Sequence, residues 1–296
     1  MSIISAILQG LLQGFTEFLP VSSSGHLSVF QYFTGISSES SVLFSVLLHF
    51  GTLAAVFIAF WKTIRELIVE AFLLLRDLFT GKLFKETPNP KRRMIFMLMV
   101  SCLPLLLVLP FKDFVAGLSA DNSILAEGVA FLGTALLLTL ADNVVKGNTL
   151  AWNMRWGDAV GVGLAQAFAT LPGISRSGST ISAGLILGLS RSYAVAYSFI
   201  LGIPAILGAG LLDLKDLVTG SGAAADLQWG PALIGMAVAA VSGLLAIKLV
   251  NYIVASDKFK IFAVYTCLLG LVVTGIGVIE MMTGNAIQHW VVAMLG

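Results

Sequence analysis

Long apolar runs alternate with short polar stretches along the whole chain. Six of these runs have the length, or nearly the length, of a membrane-crossing helix, which needs about 20 mostly apolar residues. They cover residues 42–61, 94–110, 124–141, 193–212, 231–250 and 261–280. The pattern predicts six transmembrane helices in an all-α integral membrane protein.

Two further apolar regions, residues 3–35 and 158–190, are interrupted near their middle by Pro, Gly and Ser. Each half is too short to cross a bilayer. Interrupted helices at membrane depth are tolerated only where they line a cavity or are buried in protein. We therefore predict two re-entrant helix–loop–helix hairpins, each of which enters and leaves the membrane on one face.

The composition agrees with this interpretation, because 57% of the 296 residues are hydrophobic and 11% are charged, with a mean hydropathy of +0.95. A soluble domain has about 25% charged residues, so a soluble protein is excluded. The net charge of +1 gives no indication of a nucleic-acid partner. Since there is no long polar segment, residues 1–296 are predicted to form a single membrane domain.

Positive residues are distributed unevenly between the two sides of the predicted bundle. The loops 62–93, 142–157 and 251–260 share one side and contain twelve Lys and Arg residues, whereas the other side has Lys112 and Lys215. The side rich in positive charge is predicted to be cytoplasmic, with both termini outside. The amphipathic segment 62–79 either lies along the cytoplasmic interface or extends the preceding helix.

The two interrupted regions are copies of one pattern. When the chain is shifted by 153 residues, 11 of the 36 positions from 10 to 45 are identical. The identical pairs include Gly10 and Gly163, Ser22 and Ser175, Ser24 and Ser177, and Gly25 and Gly178. Three predicted crossings separate the copies, so halves of about 1–145 and 154–296 form an inverted-topology repeat. The two hairpin tips are therefore predicted to meet near the middle of the membrane.

The tip of the first hairpin, TEFLPVSSSGHLS, concentrates reactive side chains. Gln13 and Glu17 are four residues apart and share one helix face, and an ionisable residue within a membrane segment is a functional candidate. The serines at 22–24 offer a nucleophile, although a serine run is also typical of a turn. His26 is a candidate for proton transfer, with a structural role as the alternative.

The tip of the second hairpin, LPGISRSGST, centres on Arg176. The flanking hydroxyls belong to Ser175, Ser177, Ser179 and Thr180. An arginine with clustered hydroxyls and free N–H groups at a helix start suits phosphate oxygens. The alternative is an ion pair with Glu17 that holds the fold. The remaining histidines, His49 and His289, are interpreted as structural or interfacial.

The two tips resemble the signatures of a known family, the undecaprenyl-diphosphate phosphatases linked to bacitracin resistance. The stretches QGFTEFLPVSSSGH at 13–26 and PGISRSGST at 172–180 match those signatures in full and in order, and the resemblance covers nearly the whole chain. It implies an enzyme that hydrolyses undecaprenyl diphosphate to undecaprenyl phosphate and inorganic phosphate at the outer face of the bacterial plasma membrane. This reaction recycles the lipid carrier for peptidoglycan and other envelope polymers. The resemblance also implies Mg²⁺ or Ca²⁺ as cofactor, and the sequence leaves a homodimer possible.

Carried over by position, the resemblance implies a set of catalytic residues, namely Glu17, Ser23, His26 and Arg176. The implied phosphate-binding residues are Ser22, Ser24, Ser175, Arg176, Ser177 and Thr180. The expected metal ligands are Glu17 and Gln13, and Gln13 leaves Glu17 as the single carboxylate of that pair. In the hypothetical mechanism Ser23 attacks the terminal phosphorus with His26 as its base, or an activated water attacks instead.

Two alternatives belong to other functional classes. A lipid flippase or secondary transporter would share the inverted repeat and the broken helices, with the same tips as a phosphate-binding site. The cluster of Glu17, Ser23, His26 and Arg176 favours an enzyme, because binding alone does not require a nucleophile and a base. The second large group of membrane lipid phosphatases needs a histidine soon after its S-R element, and the only histidine after Arg176 is His289.

Overall fold

The computed structural model describes residues 2–36, 42–81, 87–117, 123–219, 227–256 and 258–295. The α-helices of these residues are α1 (Ile3–Phe18), α2 (Ser23–Thr34), α3 (Val42–Ala59), α4 (Trp61–Phe79), α5 (Pro90–Cys102), α6 (Lys112–Gly117), α7 (Leu125–Asp142), α8 (Trp156–Phe168), α9 (Arg176–Ile186), α10 (Arg191–Thr219), α11 (Trp229–Ala255), α12 (Lys260–Thr283) and α13 (Ala286–Leu295). The described parts of the chain contain no β-strand, which confirms the all-α prediction.

Five helical segments of the described residues are long and apolar enough to cross a membrane. They are α7, α10, α11, α12 and the segment Pro90–Phe111, in which 3₁₀ turns continue α5. A sixth crossing results if α3 and α4 count together, although they are bent by 88° at Phe60. The chain is therefore an integral membrane protein with five apolar spans, or six if α3 and α4 form one crossing, where the hydropathy pattern predicts six.

Both interrupted regions form helix–loop–helix pairs, at the predicted places. Helices α1 and α2 have 16 and 12 residues, and α8 and α9 have 13 and 11. All four are shorter than the roughly 20 residues that a crossing needs. The second helix of each pair begins at a capping serine. Ser22 caps α2 and Ser175 caps α9 with their side-chain oxygens. The re-entrant path and the inverted orientation of the two pairs stay predictions.

Helix α4 is attached to the start of α5 by buried charges. Arg92 Nε donates to Glu70 Oε1 at 2.7 Å, and its Nη2 donates to Asp77 Oδ2 at 2.8 Å. The opposite face of α4 exposes large apolar residues, among them Phe72 and Phe79. A helix that turns sharply away from a span and keeps one apolar face exposed fits the interfacial interpretation of segment 62–79.

Each short hairpin packs against an apolar span from the other half of the chain. Helix α1 packs on α11, where a Cβ on Gly10 would lie 2.5 Å from the Gly235 carbonyl oxygen. Helix α8 packs on α5, where a Cβ on Gly163 would lie 2.5 Å from the Ser101 carbonyl oxygen. Glycine at these repeat-related positions lets the backbones approach more closely than any side chain would allow. Helices α7 and α12 form a third extensive pair.

Candidate active site

The tips of the two hairpins are in contact. Ser177 Oγ, from the second tip, donates a hydrogen bond of 3.3 Å to the Leu19 carbonyl oxygen of the first. A Cβ on Gly178 would lie 3.2 Å from the carbonyl oxygen of Pro20. The predicted contact between the tips is therefore present, and it brings together residues about 150 positions apart in sequence. The depth of this contact in the membrane stays a prediction.

The carboxylate of Glu17 lies at the centre of this junction. Its Oε1 accepts a hydrogen bond of 2.5 Å from Arg176 Nη2. Its Oε2 accepts bonds from Ser23 Oγ at 2.6 Å and from Gln13 Nε2 at 3.1 Å. Only 7% of Glu17 is exposed, and a charge so deeply buried must be paired. The Glu17 carboxylate thus contacts three other residues that the sequence singles out, namely Arg176, Ser23 and Gln13.

Arg176, the first residue of α9, reaches Glu17 across the face of α10. Its Nη1 lies 3.4 Å from the Ser198 carbonyl oxygen, and its side chain is 17% exposed. A Cβ on Gly202 would lie 2.8 Å from the Arg176 Cζ and still closer to Nη1. The absence of a side chain at Gly202 therefore creates the space in which the guanidinium lies.

The two serine turns repeat the same hydrogen bonds. Ser22 Oγ accepts a bond from the Gly25 N–H at 3.3 Å and lies 3.4 Å from Ser24 Oγ. Ser175 Oγ accepts a bond from the Gly178 N–H at 2.9 Å and lies 3.4 Å from Ser177 Oγ. Each turn leads into the N-terminus of a helix, where free N–H groups and the helix dipole favour an anion.

The other candidate phosphate-binding hydroxyls differ in their accessibility. Ser24 is exposed, whereas Ser175, Ser177 and Thr180 are each at most 2% exposed. Thr180 Oγ1 is bonded to the Arg176 carbonyl oxygen at 2.9 Å and lies 2.6 Å from Ser198 Oγ. The buried hydroxyls therefore hold the turn and its neighbour α10 in place, and their contact with phosphate stays a prediction.

His26 lies on α2 with both ring nitrogens engaged. Its Nδ1 is 2.6 Å from the Ser22 carbonyl oxygen, and its Nε2 is 2.8 Å from the Tyr265 hydroxyl of α12. Ser22 has a φ of 73°, unusual for a residue with a side chain, and this turn aims the carbonyl at the ring. The hydroxyl of Ser23 is directed to Glu17 rather than to His26. The role of His26 as the base for Ser23 stays a prediction.

Two residues near the site are absent from the sequence-based candidates. His49 Nε2 lies 4.0 Å from Glu17 Oε2, and its Nδ1 is 2.8 Å from the Ser45 carbonyl oxygen. The sequence interpretation of His49 as structural or interfacial missed this neighbour. Tyr265 was missed as well. Both residues are isolated polar groups in plain apolar spans, and only the packing of those spans reveals which way they face.

The side-chain oxygens of Gln13 and Glu17 supply part of the ligand set that a hard divalent cation needs. Gln13 Oε1 is buried and has no hydrogen-bond partner, although the same side chain donates to Glu17. Amide and carboxylate oxygens are the ligands that Mg²⁺ and Ca²⁺ prefer. Nowhere in the described ranges do three or more His, Cys, Asp or Glu residues form a metal cluster. The pair Gln13 and Glu17 therefore suits a cation that takes its remaining ligands from water and phosphate.

An apolar groove of about 330 Å³ separates α1 from α2. Its lining consists of Leu8, Leu11, Leu12, Phe15, Thr16 and Phe30. The Thr16 hydroxyl is bonded to the Leu12 carbonyl oxygen at 2.6 Å, so it is not free to bind a polar ligand. Phe30 is seven residues after Ser23, which places both on one face of α2, about two turns apart. The groove therefore offers an apolar surface next to the polar junction.

Known proteins are similar to this chain along almost its entire length. The family model described as bacitracin resistance protein BacA matches residues 6–272. An undecaprenyl-diphosphatase from Halothermothrix orenii is 39% identical over 274 residues, covering 92% of this chain and 97% of the relative. Relatives with the same name from Methanosphaera stadtmanae and Bacteroides fragilis are 38% and 36% identical, covering 92% and 90% of this chain and 97% and 95% of their own. The matched range includes both tips and Tyr265.

Proposed function

Because the chain belongs to the bacitracin resistance protein BacA family, we infer that it hydrolyses undecaprenyl diphosphate to undecaprenyl phosphate and inorganic phosphate. The observation that supports this chemistry best is the junction in which Glu17 contacts both Ser23 and Arg176. It combines a nucleophile, a proton acceptor and a phosphate-binding cation in one shielded place. In keeping with the family name, we expect the chain to contribute to bacitracin resistance.

In this proposal Arg176 and the N-termini of α2 and α9 bind the diphosphate of the substrate. A guanidinium has five N–H donors, and Glu17 and the Ser198 carbonyl occupy the donors of Nη2 and Nη1 in part. Donors therefore remain for the oxygens of a diphosphate. The exposed hydroxyl of Ser24 and the N-termini of α2 and α9 add further donors and a favourable field. In this proposal the prenyl chain stays in the lipid, and the groove between α1 and α2 offers it an apolar protein surface.

The short contact between Ser23 and Glu17 supports a covalent route. Ser23 Oγ attacks the terminal phosphorus, its proton passes to Glu17 Oε2, and the bond from that phosphorus to the bridging oxygen breaks. Undecaprenyl phosphate leaves, and water then hydrolyses the phosphoserine to phosphate. His26 could replace Glu17 as the base only after Nε2 is released from Tyr265 or Nδ1 from Ser22. The alternative route has an activated water in place of Ser23.

A divalent cation held by Gln13 Oε1 and Glu17 would neutralise the negative charge that develops on the phosphate oxygens. The chain's own contribution to the same task is Arg176, whose planar guanidinium presents a fork of N–H donors to phosphate oxygens. The same guanidinium also pairs with Glu17. Dependence of the reaction on Mg²⁺ or Ca²⁺ remains a proposal from the family resemblance and from the unpartnered Gln13 oxygen.

We further propose that the two halves are related by an inverted two-fold repeat. The matching hydrogen bonds of the Ser22 and Ser175 turns support this. So does the reciprocal packing of α1 on α11 and of α8 on α5. With the positively charged loops in the cytoplasm, both termini and the first hairpin face outward, and the site opens to the outer face of the bacterial plasma membrane. A homodimer remains a proposal without support from a described contact.

The test is phosphate release from undecaprenyl diphosphate by the purified protein in detergent. We expect release by the wild type that stops with EDTA, and losses of at least about 100-fold for Ser23→Ala and Arg176→Ala. Arg176→Lys keeps the charge but loses the planar fork, so a large loss in a folded Arg176→Lys protein shows that the effect is not misfolding. Arg155→Ala is the control, since that side chain is 80% exposed and bonds to Asp158.

Each outcome of this assay has a definite meaning. A phosphoserine trapped at Ser23 would support the covalent route, whereas a near-normal rate for Ser23→Ala would leave only the water route. No release by a well-folded wild type would contradict hydrolysis. The same tips would then be the phosphate-binding site of a lipid flippase or transporter, for which the broken helices are the supporting feature.

A further inference from the structure

The ring of His26 is enclosed by groups from three different elements. The Ser22 carbonyl oxygen lies 2.6 Å from Nδ1, and the Tyr265 hydroxyl lies 2.8 Å from Nε2. The Tyr265 ring is nearly parallel to the imidazole, with 5.9 Å between centroids and an interplanar angle of 7°. Phe131 of α7 meets the imidazole edge to face, at 5.1 Å and 76°. This residue of the first hairpin is therefore oriented by helices outside the hairpin.

The helices that orient His26 form a closely packed pair. Helix α7 approaches α12 so closely that a Cβ on Gly128 would lie 2.5 Å from the Thr274 nitrogen, and a Cβ on Gly270 would lie 2.8 Å from Leu132 Cδ2. On the hairpin side, a Cβ on Gly25 would lie 2.7 Å from Phe131 Cζ. Small residues on both sides thus allow the aromatic rings to reach His26, and the rings have little freedom to move.

The hydrogen bonds determine which nitrogen carries the proton. A carbonyl oxygen only accepts, so Nδ1 of His26 must carry the hydrogen that Ser22 receives. In the neutral ring Nε2 then has a lone pair, and the Tyr265 hydroxyl donates to it. A protonated ring would instead present an N–H to Tyr265 and force its hydroxyl to turn. The contact therefore favours the neutral imidazole with its hydrogen on Nδ1.

Other titratable groups on the helices around α2 are bonded elsewhere or exposed. The carboxylates are Glu17, bonded to Arg176 and Ser23, Glu127, which accepts from Ser28 Oγ at 2.7 Å, Asp142, whose Oδ1 lies 3.8 Å from Arg191 Nη2, and Glu280, which accepts from the Gln288 N–H at 2.8 Å. The basic groups Lys260 and His289 are exposed. Among the described residues, Tyr265 is the titratable group that is hydrogen-bonded to the His26 ring. The tautomer of His26 therefore depends first on this contact.

We propose that Tyr265 is a positioning residue for the hydrolysis reaction. It holds His26 as the neutral Nδ1–H tautomer beside the Ser23–Glu17 pair, with its hydroxyl on Nε2 and its ring against the imidazole. It also controls when Nε2 becomes free to exchange a proton with the substrate. This proposal rests on the proposed function.

The decisive variant is Tyr265→Phe, which removes the hydroxyl and keeps the stacked ring. Loss of one neutral hydrogen bond that matters to the reaction lowers kcat about five- to tenfold, and we expect KM to stay within about twofold. The Tyr265 hydroxyl donates to the neutral ring and would accept from the protonated ring, and these two bonds differ in strength. Removal of the hydroxyl therefore shifts the acidic limb of the kcat profile. Tyr252→Phe on α11, at an exposed tyrosine, is the matched control and should leave kcat and the profile unchanged.

A double-mutant cycle separates positioning from general packing. In a His26→Ala background, Tyr265→Phe is expected to cause no further loss of kcat. An equal loss in both backgrounds would mean a structural role and would overturn the proposal. So would wild-type kcat and an unshifted pH profile for Tyr265→Phe. If the wild type releases no phosphate, the proposed function fails first, so the two failures are distinguishable.

A measurement on the wild type keeps the proposal falsifiable even if the variant does not fold. Nitrogen NMR of ¹⁵N-histidine-labelled protein reports the tautomer of His26, with His26→Ala providing the assignment. The expected result is the Nδ1–H form as the main neutral tautomer. A main Nε2–H form would contradict the contact with Tyr265 and overturn the proposal.

Discussion

At the scale of single residues, the ion pair at the centre of the site depends on a residue that takes no part in the chemistry. Arg176 and Glu17 belong to different hairpins, and the guanidinium passes over α10 where Gly202 has no side chain. A buried ion pair is sensitive to small displacements, because neither charge has water to replace its partner. The position of Arg176 is thus determined by α10 as much as by its own hairpin.

Gly202→Ala tests this dependence. The new methyl would occupy space that Arg176 Nη1 and Cζ now fill, and a displacement of about 1 Å at a reacting site costs about 100-fold in rate. We expect kcat/KM for undecaprenyl diphosphate to fall by that order, with the protein still folded. Gly208→Ala on the same helix is the control, since a Cβ there meets nothing within 4 Å. Similar activity for the two variants would contradict the prediction.

The residues of the site differ in how far the sequence could predict them. Glu17, Ser23 and Arg176 were predictable, because the repeat places both tips together and the motifs supply the chemistry. His49 and Tyr265 were not, since each is one polar residue in an apolar span. The face that such a residue presents depends on the rotation of the helix, which is set by packing rather than by local pattern. For the same reason the motif could not show that Nε2 of His26 meets Tyr265.

At the scale of elements, α4 shows how buried charges fix the direction of a helix. The sequence left two options for segment 62–79, an interfacial helix or a continuation of the preceding span. Helix α4 turns by 88° from α3, and Arg92 at the start of α5 bonds both Glu70 and Asp77 on its inner face. Periodicity alone predicted an amphipathic helix, but the partner that selects its direction lies beyond the following loop.

Arg92→Met is expected to loosen α4. The substitution leaves Glu70 and Asp77 buried without their shared partner, which is more harmful than removing the whole ion pair. Lys91→Met is the control, because Lys91 pairs with Glu66 where both side chains are well exposed. We expect a clearly larger fall in Tm in detergent for Arg92→Met. Equal Tm values would show that α4 is held by its apolar contacts alone.

The same contact gives acid sensitivity to this part of the molecule. The hydrogen bond from Arg92 holds the pKa of the Asp77 carboxyl below its ordinary value, against the opposing effect of burial. The stability that this carboxylate contributes is complete above its ordinary pKa, about 4, and is lost as the pH falls through the lowered value. In the Arg92→Met protein this contribution is smaller, so its Tm should depend less on pH between pH 5 and pH 3 (about one unit either side of that pKa).

At the scale of the whole molecule, the spans follow from hydropathy but their packing does not. Six apolar runs of similar composition do not indicate which run contacts which. The pairing is set by small residues such as Gly14, where a Cβ would lie 2.5 Å from the Ala239 carbonyl oxygen. The repeat indicated that the tips meet, yet gave no sign that each hairpin packs on a helix of the opposite half.

The proposed orientation leads to a labelling prediction. In a variant without Cys102 and Cys267, a cysteine at Ala286, the exposed first residue of α13, should react with a membrane-impermeant maleimide in intact cells. A cysteine at Asn148, exposed in the loop between α7 and α8, should react only after the cells are opened, because that loop is on the positively charged side. The reverse pattern would place both termini in the cytoplasm and contradict the orientation.

Because α1 packs on α11, helix α1 is synthesised long before the helix that it packs against. About 225 residues separate Gly14 from its neighbour Ala239, and at roughly 5–20 residues per second their synthesis takes about 11 to 45 s. Throughout that interval α1, which contains Glu17, lacks the helix that it packs against. Until Arg176 has been synthesised, Glu17 also lacks its positively charged partner. If Glu17 and Arg176 form the catalytic site as we propose, a nascent chain is inactive until α11 has been synthesised and has packed against α1.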